Sequence, residues 1–224
     1  MTGILYVIFS FLDTLDTFDE GTFMKMVSTV LVTIAVFLQI GGFILYGIHV
    51  FSSTTIPNTA SWFLWSYLSS LNAFAYYQDS GKDLSKSGVA IINALAMVST
   101  FIFSIYLGSM ALPPAHDYLI ITIGLLASYG WYRYSASVAQ VMLQIAFTIA
   151  FIPTYLDLWD NPLLEQSLPW FLWEASFFLG VVIVCLHWKG RYMEIMYPFV
   201  AFLRVGILLV LLYWSPLLHS LFSL

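Results

Sequence analysis

Apolar residues fall along the chain in runs of about twenty, the length that an α-helix needs to cross the hydrocarbon core of a bilayer. Seven such runs are separated by short polar or charged stretches. The runs cover Met26–Val50, Ser61–Tyr77, Gly88–Leu107, Tyr118–Trp131, Val138–Tyr155, Leu168–Leu186 and Ile195–Trp214. This spacing predicts an all-α integral membrane protein with seven transmembrane helices.

The residues before the first run have a different pattern. Gly3–Phe18 is apolar, but Asp13, Asp16 and Asp19 recur at every third position. The segment has neither the positive n-region nor the small-residue cleavage site of a signal peptide. An apolar stretch with regularly spaced acids is typical of a helix that lies in the membrane interface. We therefore predict a short interfacial helix over residues 1–22.

Two short strings occur twice, in the same order. Residues 62–65 read Trp-Phe-Leu-Trp, and residues 170–173 read the same. Each copy follows a Leu-Gln-Ile string on the preceding helix, at residues 38–40 and 143–145. Both copies of each string lie on predicted helices that run in the same direction, which favours an internal duplication over coincidence.

The duplication divides the chain into two three-helix repeats. The first repeat covers residues 23–112, a linker helix covers residues 113–135, and the second repeat covers residues 136–224. Because the linker helix adds one crossing, the two triplets run in the same direction. They are then parallel repeats related by an axis near the membrane normal.

Composition and charge narrow the function classes. Hydrophobic residues make up 61% of the 224 positions and charged residues 8%, whereas soluble domains average about 25% charged residues. The net charge of −5 comes with no basic patch, which excludes nucleic acid as a partner. Cys185 is the one cysteine, so it cannot form an internal disulfide, and we interpret it as a packing residue.

The loop charges predict the orientation. The basic residues on one side of the seven-span arrangement are Lys25, Lys82, Lys86, Arg133, Lys189 and Arg191. The opposite side carries the acidic residues Asp117, Asp157, Asp160 and Glu165. The excess of Lys and Arg marks the cytoplasmic side. We therefore expect a plasma (inner) membrane protein with a cytoplasmic N-terminus and an external C-terminus.

The three-one-three plan resembles the SWEET sugar transporters, the PQ-loop proteins and the Pnu-type vitamin transporters. The second half is most similar to the Pnu type, with Trp170 and Trp173 at the start of span six and Lys189-Gly190-Arg191-Tyr192 at the next turn. It departs from that pattern at Glu174, which follows Trp173 directly instead of lying one turn later. The resemblance implies a carrier for nicotinamide riboside or a related small metabolite.

Polar groups within the hydrocarbon are costly, which makes them candidates for function. The candidate substrate-binding residues are Gln39, Trp65, Asn72, Asn93, Gln140, Gln144, Trp173, Glu174 and Arg204. Buried amides often only join helices by hydrogen bonds, but in a transporter they can satisfy substrate hydroxyls. Gln39 and Gln144 are the preferred pair because the repeat places them equivalently. Asn58 lies in the loop before span two and is interpreted as a helix cap.

The two intramembrane charges leave several interpretations open. Glu174 could bind a cation, a proton or a sugar hydroxyl, or it could lie in the headgroup layer. Arg204 could pair with Glu174, bind an anionic ligand, or extend to the interface as long basic side chains do. Charge within the bilayer predicts that both side chains face the protein interior.

The paired tryptophans also allow two interpretations. Tryptophan is enriched at membrane interfaces, and this accounts for Trp62 and Trp170. A pair at i and i+3 presents two indoles on one helix face, where they could stack on a ring or a sugar. We assign this pocket role to Trp65 and Trp173, which lie deeper in their spans.

These features predict a transporter of a small polar metabolite (a vitamin, nucleoside or sugar-like molecule) and not an enzyme. Span seven has no lysine for retinal, and the helical i, i+4 spacing of zinc ligands is absent, so no catalytic residue, metal or cofactor is assigned. The alternative is a non-transporting scaffold or accessory subunit of the same fold. The partners compatible with the sequence are a small-molecule substrate, the lipid bilayer and further copies of the chain.

Overall fold

The computed structural model describes residues 20–79, 84–108, 112–113, 115–133, 136–188 and 192–222. Within these ranges the chain is all-helical and contains no strand. Its α-helices are α1 (Glu20–Phe51), α2 (Thr59–Asp79), α3 (Leu84–Tyr106), α4 (Ala115–Arg133), α5 (Ala136–Asp160), α6 (Ser167–Leu186) and α7 (Tyr192–Phe222). Each predicted apolar segment coincides with one of these helices, which confirms the all-α prediction. The interfacial helix predicted at the N-terminus falls almost entirely outside the described residues.

In the part of the chain that the structure describes, four helices are long and apolar enough to cross a membrane. The segments are Met24–Phe51, Val141–Asp160, Ser167–Leu186 and Ile195–Trp214. Helix α3 carries a shorter apolar segment, Ala90–Tyr106. Helix α2 has serines and an asparagine among its buried residues, because much of its surface contacts other helices and not lipid. A helix covered in this way can be less apolar than one that faces hydrocarbon.

From Ile34 to Phe51 the exposed residues of α1 are apolar, whereas its buried face includes a glutamine. Phe37, Ile44 and Phe51 project outward and are 71%, 59% and 71% exposed, whereas Gln39 is buried. The outward faces of α5, α6 and α7 carry similar exposed residues, including Ile145, Phe178 and Ile207. Contiguous exposed apolar surface of this extent is unfavourable in water and suits a lipid environment.

The contacts among the first three helices and the last three form a symmetric pattern. Helix α1 packs on α6, and α2 packs on α5. Within the halves, α3 packs on α1 and α2, while α7 packs on α5 and α6. Exchanging α1, α2 and α3 with α5, α6 and α7 converts each of these six pairs into another of the six. Helix α4 lies outside this pattern and packs on α5 and α2.

The α1–α2 and α5–α6 connections lie side by side at one end of the bundle, which we call the loop face. The backbone N–H of Ile56 donates to the carbonyl of Leu164 at 2.9 Å. The side chain of Asn58 donates to Asp157 at 2.8 Å and accepts from the backbone N–H of Ser61 at 3.0 Å. The second bond caps the start of α2, as the sequence predicted.

Candidate functional site

The centre of the bundle is a cluster of aromatic rings from four helices. Helix α2 contributes Trp62 and Trp65, whose rings lie 5.3 Å apart. Helix α6 contributes Trp170 and Trp173, whose rings lie 4.8 Å apart. The i, i+3 spacing places each pair on one helix face, and all four indoles are buried. The interpretation of Trp62 and Trp170 as interface residues is therefore wrong, because helix packing covers both.

The rings of the two halves contact one another across the centre. Trp62 lies 6.5 Å from Trp173, and Trp65 lies 5.9 Å from Trp170. Tyr46 of α1 packs against Trp173 at 5.6 Å. The T-shaped and tilted geometries of these pairs are those that the ring quadrupoles favour.

A small cavity of about 40 Å³ lies within this cluster. That volume holds roughly three water molecules. The lining residues include all four tryptophans, Gln39, Asn93, Met97, Phe147, Phe151, Phe177, Tyr197, Ala201, Arg204 and Val205. Both halves of the chain therefore contribute to its wall, and most of the wall is aromatic.

Polar atoms of Gln39 and its neighbours face this region from the first half. The Gln39 amide donates to Asn93 Oδ1 at 2.7 Å, and its backbone carbonyl accepts from Trp173 Nε1 at 3.3 Å. The Gln39 Oε1 atom and the Trp65 Nε1 atom are buried without a hydrogen-bond partner. An unsatisfied buried polar atom is costly, so a bound water or solute at these atoms would be stabilised.

Arg204 brings a positive charge to the second half of the cavity. Its side chain is 4% exposed, and its Nη atoms donate to the backbone and side-chain oxygens of Gln144, each at 3.2 Å. The guanidinium carbon lies 5.2 Å from the centre of the Phe147 ring and 5.6 Å from that of Phe151. The aromatic faces stabilise the cation, while Arg204 Nε has no partner.

Comparison with known proteins finds no matching family model, no matching curated protein and no matching solved structure.

The cavity brings together five of the nine residues predicted to bind substrate. Gln39, Trp65, Asn93, Trp173 and Arg204 line it. Gln144 contacts Arg204 instead and lines a separate groove between α5 and α7. Asn72 is buried on α2 with its Oδ1 atom unpartnered, but it does not line the cavity. The side chain of Gln140 lies outside the described part of the structure.

Glu174 and Arg204 do not pair. The polar contacts of the Arg204 guanidinium go to Gln144, and no ion pair between the two residues occurs in the described chain. Glu174 is half-buried and faces α7, with Oε1 3.1 Å from where a Cβ would stand on Gly206. A glycine at that position leaves room for the carboxylate. Arg204 does not extend to an interface, because its side chain is enclosed.

Glu165 is a residue that the sequence did not single out. It lies in the α5–α6 connection and is buried. Its Oε1 atom accepts from the Tyr46 hydroxyl at 2.9 Å, and its Oε2 atom accepts from Trp170 Nε1 at 3.2 Å. The predicted orientation places it among several external acids. No local pattern distinguishes it from them, since its burial comes from contacts with a distant part of the chain.

No metal site is evident in the part of the chain that the structure describes. The described His, Cys, Asp and Glu residues form no group of three that could hold an ion. The polar groups of the cavity wall include amide, indole, phenol and guanidinium groups, which can form hydrogen bonds to an organic solute.

Proposed function

We propose that the chain is a seven-span membrane transporter of a small polar solute, with the cavity between its halves as the substrate site. The observation that carries this proposal is the wall of the cavity. Arg204, Gln39 and Trp65 each present a buried polar atom without a protein partner at the point where both halves meet. Such atoms are costly in a purely structural core, and a polar solute would satisfy them.

Helix packing supports the two-repeat plan within this proposal. The helix pairs are preserved when the first triplet, within residues 23–112, is exchanged with the second, within residues 136–224. Residues 113–135 then supply the linker helix α4. This is the three-one-three plan of the SWEET, PQ-loop and Pnu-type proteins that the sequence resembles.

Contacts between side chains follow the same exchange. Tyr46 lies seven residues after Gln39, and Phe151 lies seven residues after Gln144. Tyr46 packs on the second tryptophan of the other half, Trp173, at 5.6 Å. Phe151 does the same on Trp65 at 4.6 Å. Equivalent neighbours at equivalent positions are expected of a duplicated unit.

The chemistry of the wall favours a solute with a flat or apolar face and polar edges. The indoles can stack on a ring or on a sugar. Arg204 and Trp65 offer donors, and Gln39 offers an acceptor. Vitamin, nucleoside and sugar-like molecules have this combination. The cavity must widen to hold any of them, so transport would proceed by alternating access or facilitated diffusion.

The volume of the cavity favours the alternative of a membrane scaffold or accessory subunit. About 40 Å³ is far below the roughly 300 Å³ at which small-molecule pockets begin. A protein that remains in this conformation would have no room for a metabolite. The two functions therefore differ in whether the centre opens.

A substitution that fills the cavity tests the proposal. Purified protein in liposomes is supplied with a mixture of vitamins, nucleosides and sugars, and the internal solutes are measured by mass spectrometry. Ala201 is buried in the cavity wall, so we expect Ala201→Val to lower uptake at least about tenfold, a change of about 1.4 kcal/mol. Ala175 is exposed on α6, and Ala175→Val is the matched control that should leave uptake unchanged.

Two results would count against transport. If wild-type liposomes accumulate nothing beyond empty liposomes, the scaffold alternative stands. If Ala175→Val and Ala201→Val reduce uptake equally, the cavity is not the route. Thermal unfolding of both variants separates blockage from loss of the fold, because overfilling a packed core costs about 1–3 kcal/mol.

The proposed orientation has a cytoplasmic N-terminus and an external C-terminus in the plasma (inner) membrane. Three of the basic residues behind it, Lys82, Lys189 and Arg191, lie outside the described residues. Tags at each end, probed with antibody or protease in intact and opened cells, test it directly. We expect the C-terminal tag to be reached in intact cells and the N-terminal tag only after opening. Tags on the same side would refute both the orientation and the odd number of spans.

A further inference from the structure

Glu165 lies at the loop face and links three helices of both halves. Its carboxylate accepts hydrogen bonds from Tyr46 on α1 and from Trp170 on α6. The Tyr46 hydroxyl in turn accepts from Trp62 Nε1 on α2 at 2.9 Å. We call these four residues, Tyr46, Trp62, Glu165 and Trp170, the clasp. Each of its members is buried.

The clasp also forms part of the cavity wall. Trp62 and Trp170 line the cavity, and their indole N–H groups point into the hydrogen-bond network of the clasp. Opening the cavity toward the loop face would require these two indoles to separate. The network that holds them together runs through a single carboxyl group.

In the described part of the structure, the titratable groups that act on Glu165 are Tyr46 and Asp157. From α1, Tyr46 contacts it directly, and from α5, Asp157 acts on it electrostatically. His49 of α1 hydrogen bonds to Thr54, and Tyr213 of α7 donates to Ser167 at 2.9 Å. No Lys, Arg or His forms an ion pair with Glu165 in the described chain. The carboxylate charge is therefore not neutralised by a fixed cation.

Two opposing effects act on the Glu165 proton. Burial favours the neutral acid, and it raises the pKa of the carboxyl from 4.5 to about 8. Hydrogen bonds from Tyr46 and Trp170 favour the ionised form and limit this rise, while the negative charge of Asp157 adds to it. In an open state, where water reaches the loop face, the carboxyl would return toward its ordinary value.

We propose that Glu165 is a proton-binding residue whose protonation holds the loop face of the central cavity closed. This inference rests on the proposed function, since it assumes that the cavity opens to water on that face. The closed state binds the proton more tightly, because only in that state is the carboxyl removed from water. Release of the proton leaves a buried charge, which is relieved when the clasp separates and the carboxylate becomes hydrated.

Linkage gives the direction of the pH dependence. The closed state binds the proton with a pKa of about 8, and the open state with a value near that of free glutamate, about 4.3. Closing therefore takes up a proton between these values. The stabilisation of the closed state by the Glu165 proton is fully present below the lower pKa, and it is lost as the pH rises to about 8. We expect the loop face to open as pH rises through this window.

A cysteine in the cavity wall reports the opening. Cys185 is the only cysteine, so Cys185→Ser provides a background without thiols. Met97 lines the cavity, and Met97→Cys in that background places one thiol there. Liposomes are treated with a membrane-impermeant methanethiosulfonate on each side separately, at pH values from 5 to 8. The rate of labelling measures how often water reaches the cavity from that side.

The matched comparison is Glu165→Gln in the same background, which keeps the shape of the side chain but cannot release a proton. Thiol ionisation raises the labelling rate with pH in both proteins, so the ratio of the two rates isolates the effect of Glu165. We expect the labelling rate with Glu165 intact, divided by the rate in Glu165→Gln and measured from the loop-face side, to rise about tenfold or more between pH 5 and pH 8. Asp157→Asn removes a negative charge that raises the pKa of Glu165. In that variant the labelling rate from the loop face should therefore rise at lower pH.

The outcomes separate the two proposals. A ratio that stays constant with pH, while labelling occurs from the loop face, overturns the role of Glu165 and leaves transport standing. Labelling from neither side at any pH overturns both, because the cavity then never meets water. Thermal unfolding of Glu165→Gln and Asp157→Asn checks that each variant is folded before its labelling is compared.

Discussion

The guanidinium of Arg204 donates to both the backbone carbonyl and the side-chain oxygen of Gln144, each at 3.2 Å. In the other half of the molecule, Gln39 makes its side-chain hydrogen bond to a neutral partner, Asn93, at 2.7 Å. Of the two glutamines, only Gln144 makes its side-chain hydrogen bond to a charged group. A buried charge whose hydrogen-bond partners are all neutral has a desolvation cost that no opposite charge offsets.

We expect the stability effects of Gln144 and Arg204 to be strongly coupled. Gln144→Leu removes the side-chain acceptor of the guanidinium and keeps only the backbone carbonyl of residue 144, so it should cost about 1–3 kcal/mol. Arg204→Met removes the buried charge and should be nearly neutral or stabilising. The double variant should cost less than Gln144→Leu alone, because no charge then remains unpaired. Thermal unfolding of the four proteins measures the coupling, and strictly additive losses would contradict it.

Glu174 provides the matched comparison for this cycle. Its carboxylate faces Gly206 and does not contact Arg204, so we expect Glu174→Gln and Arg204→Met to be additive within about 0.5 kcal/mol. The same four-protein measurement applies to this pair. A coupling of 1 kcal/mol or more would restore the ion pair that the sequence suggested.

The sequence predicted the helices better than it predicted which side chains meet. Apolar runs mark helices because length and hydrophobicity are local properties, and all seven predicted segments are helical in the structure. Repeated strings also identified the tryptophan pairs that line the cavity. Whether Trp62 lies at an interface or in a core depends on Tyr46 and Trp65, its ring neighbours. Only one of these is close in sequence.

Glu165 shows the same limit at a charged position. A carboxylate in a connection is ordinarily solvated, and nothing nearby in the sequence indicates otherwise. Its burial depends on Tyr46, which is 119 positions away in the chain. A pair between Arg204 and Glu174 was one of three interpretations that the sequence allowed, because the two residues share a depth on adjacent helices. Depth alone does not fix rotation about the helix axis, and rotation directs Arg204 toward Gln144.

The two deeper tryptophans should differ in what their N–H groups contribute. Trp173 Nε1 donates to the carbonyl of Gln39 at 3.3 Å, whereas Trp65 Nε1 has no partner. Trp173→Phe loses a hydrogen bond as well as ring area, so it should cost about 1 kcal/mol more than Trp65→Phe. Trp65→Phe should instead lower the affinity for a transported solute. Equal stability losses would show that the Trp65 N–H is satisfied in the folded protein.

A glycine on α1 provides the sharpest test of the packing at the cavity. A Cβ on Gly42 would overlap Trp173 Nε1, whereas a Cβ on Gly47 would meet nothing within 4 Å. Gly42→Ala must therefore displace the indole or the helix, and we expect a loss of about 1–3 kcal/mol from overpacking. Gly47→Ala is on the same helix and should stabilise the protein by about 0.5–1 kcal/mol, because alanine favours the helix over glycine.

The displaced indole gives this last comparison a second readout. If Trp173 moves, its hydrogen bond to Gln39 breaks, and its fluorescence should shift in Gly42→Ala but not in Gly47→Ala. A variant with Trp173→Phe added identifies which of the tryptophans is responsible, since the shift should then disappear. If Gly42→Ala is as stable as Gly47→Ala and its spectrum is unchanged, α1 and the Trp173 ring do not pack closely enough to exclude a Cβ at position 42. The wall of the cavity on that side would then have to be formed by other residues.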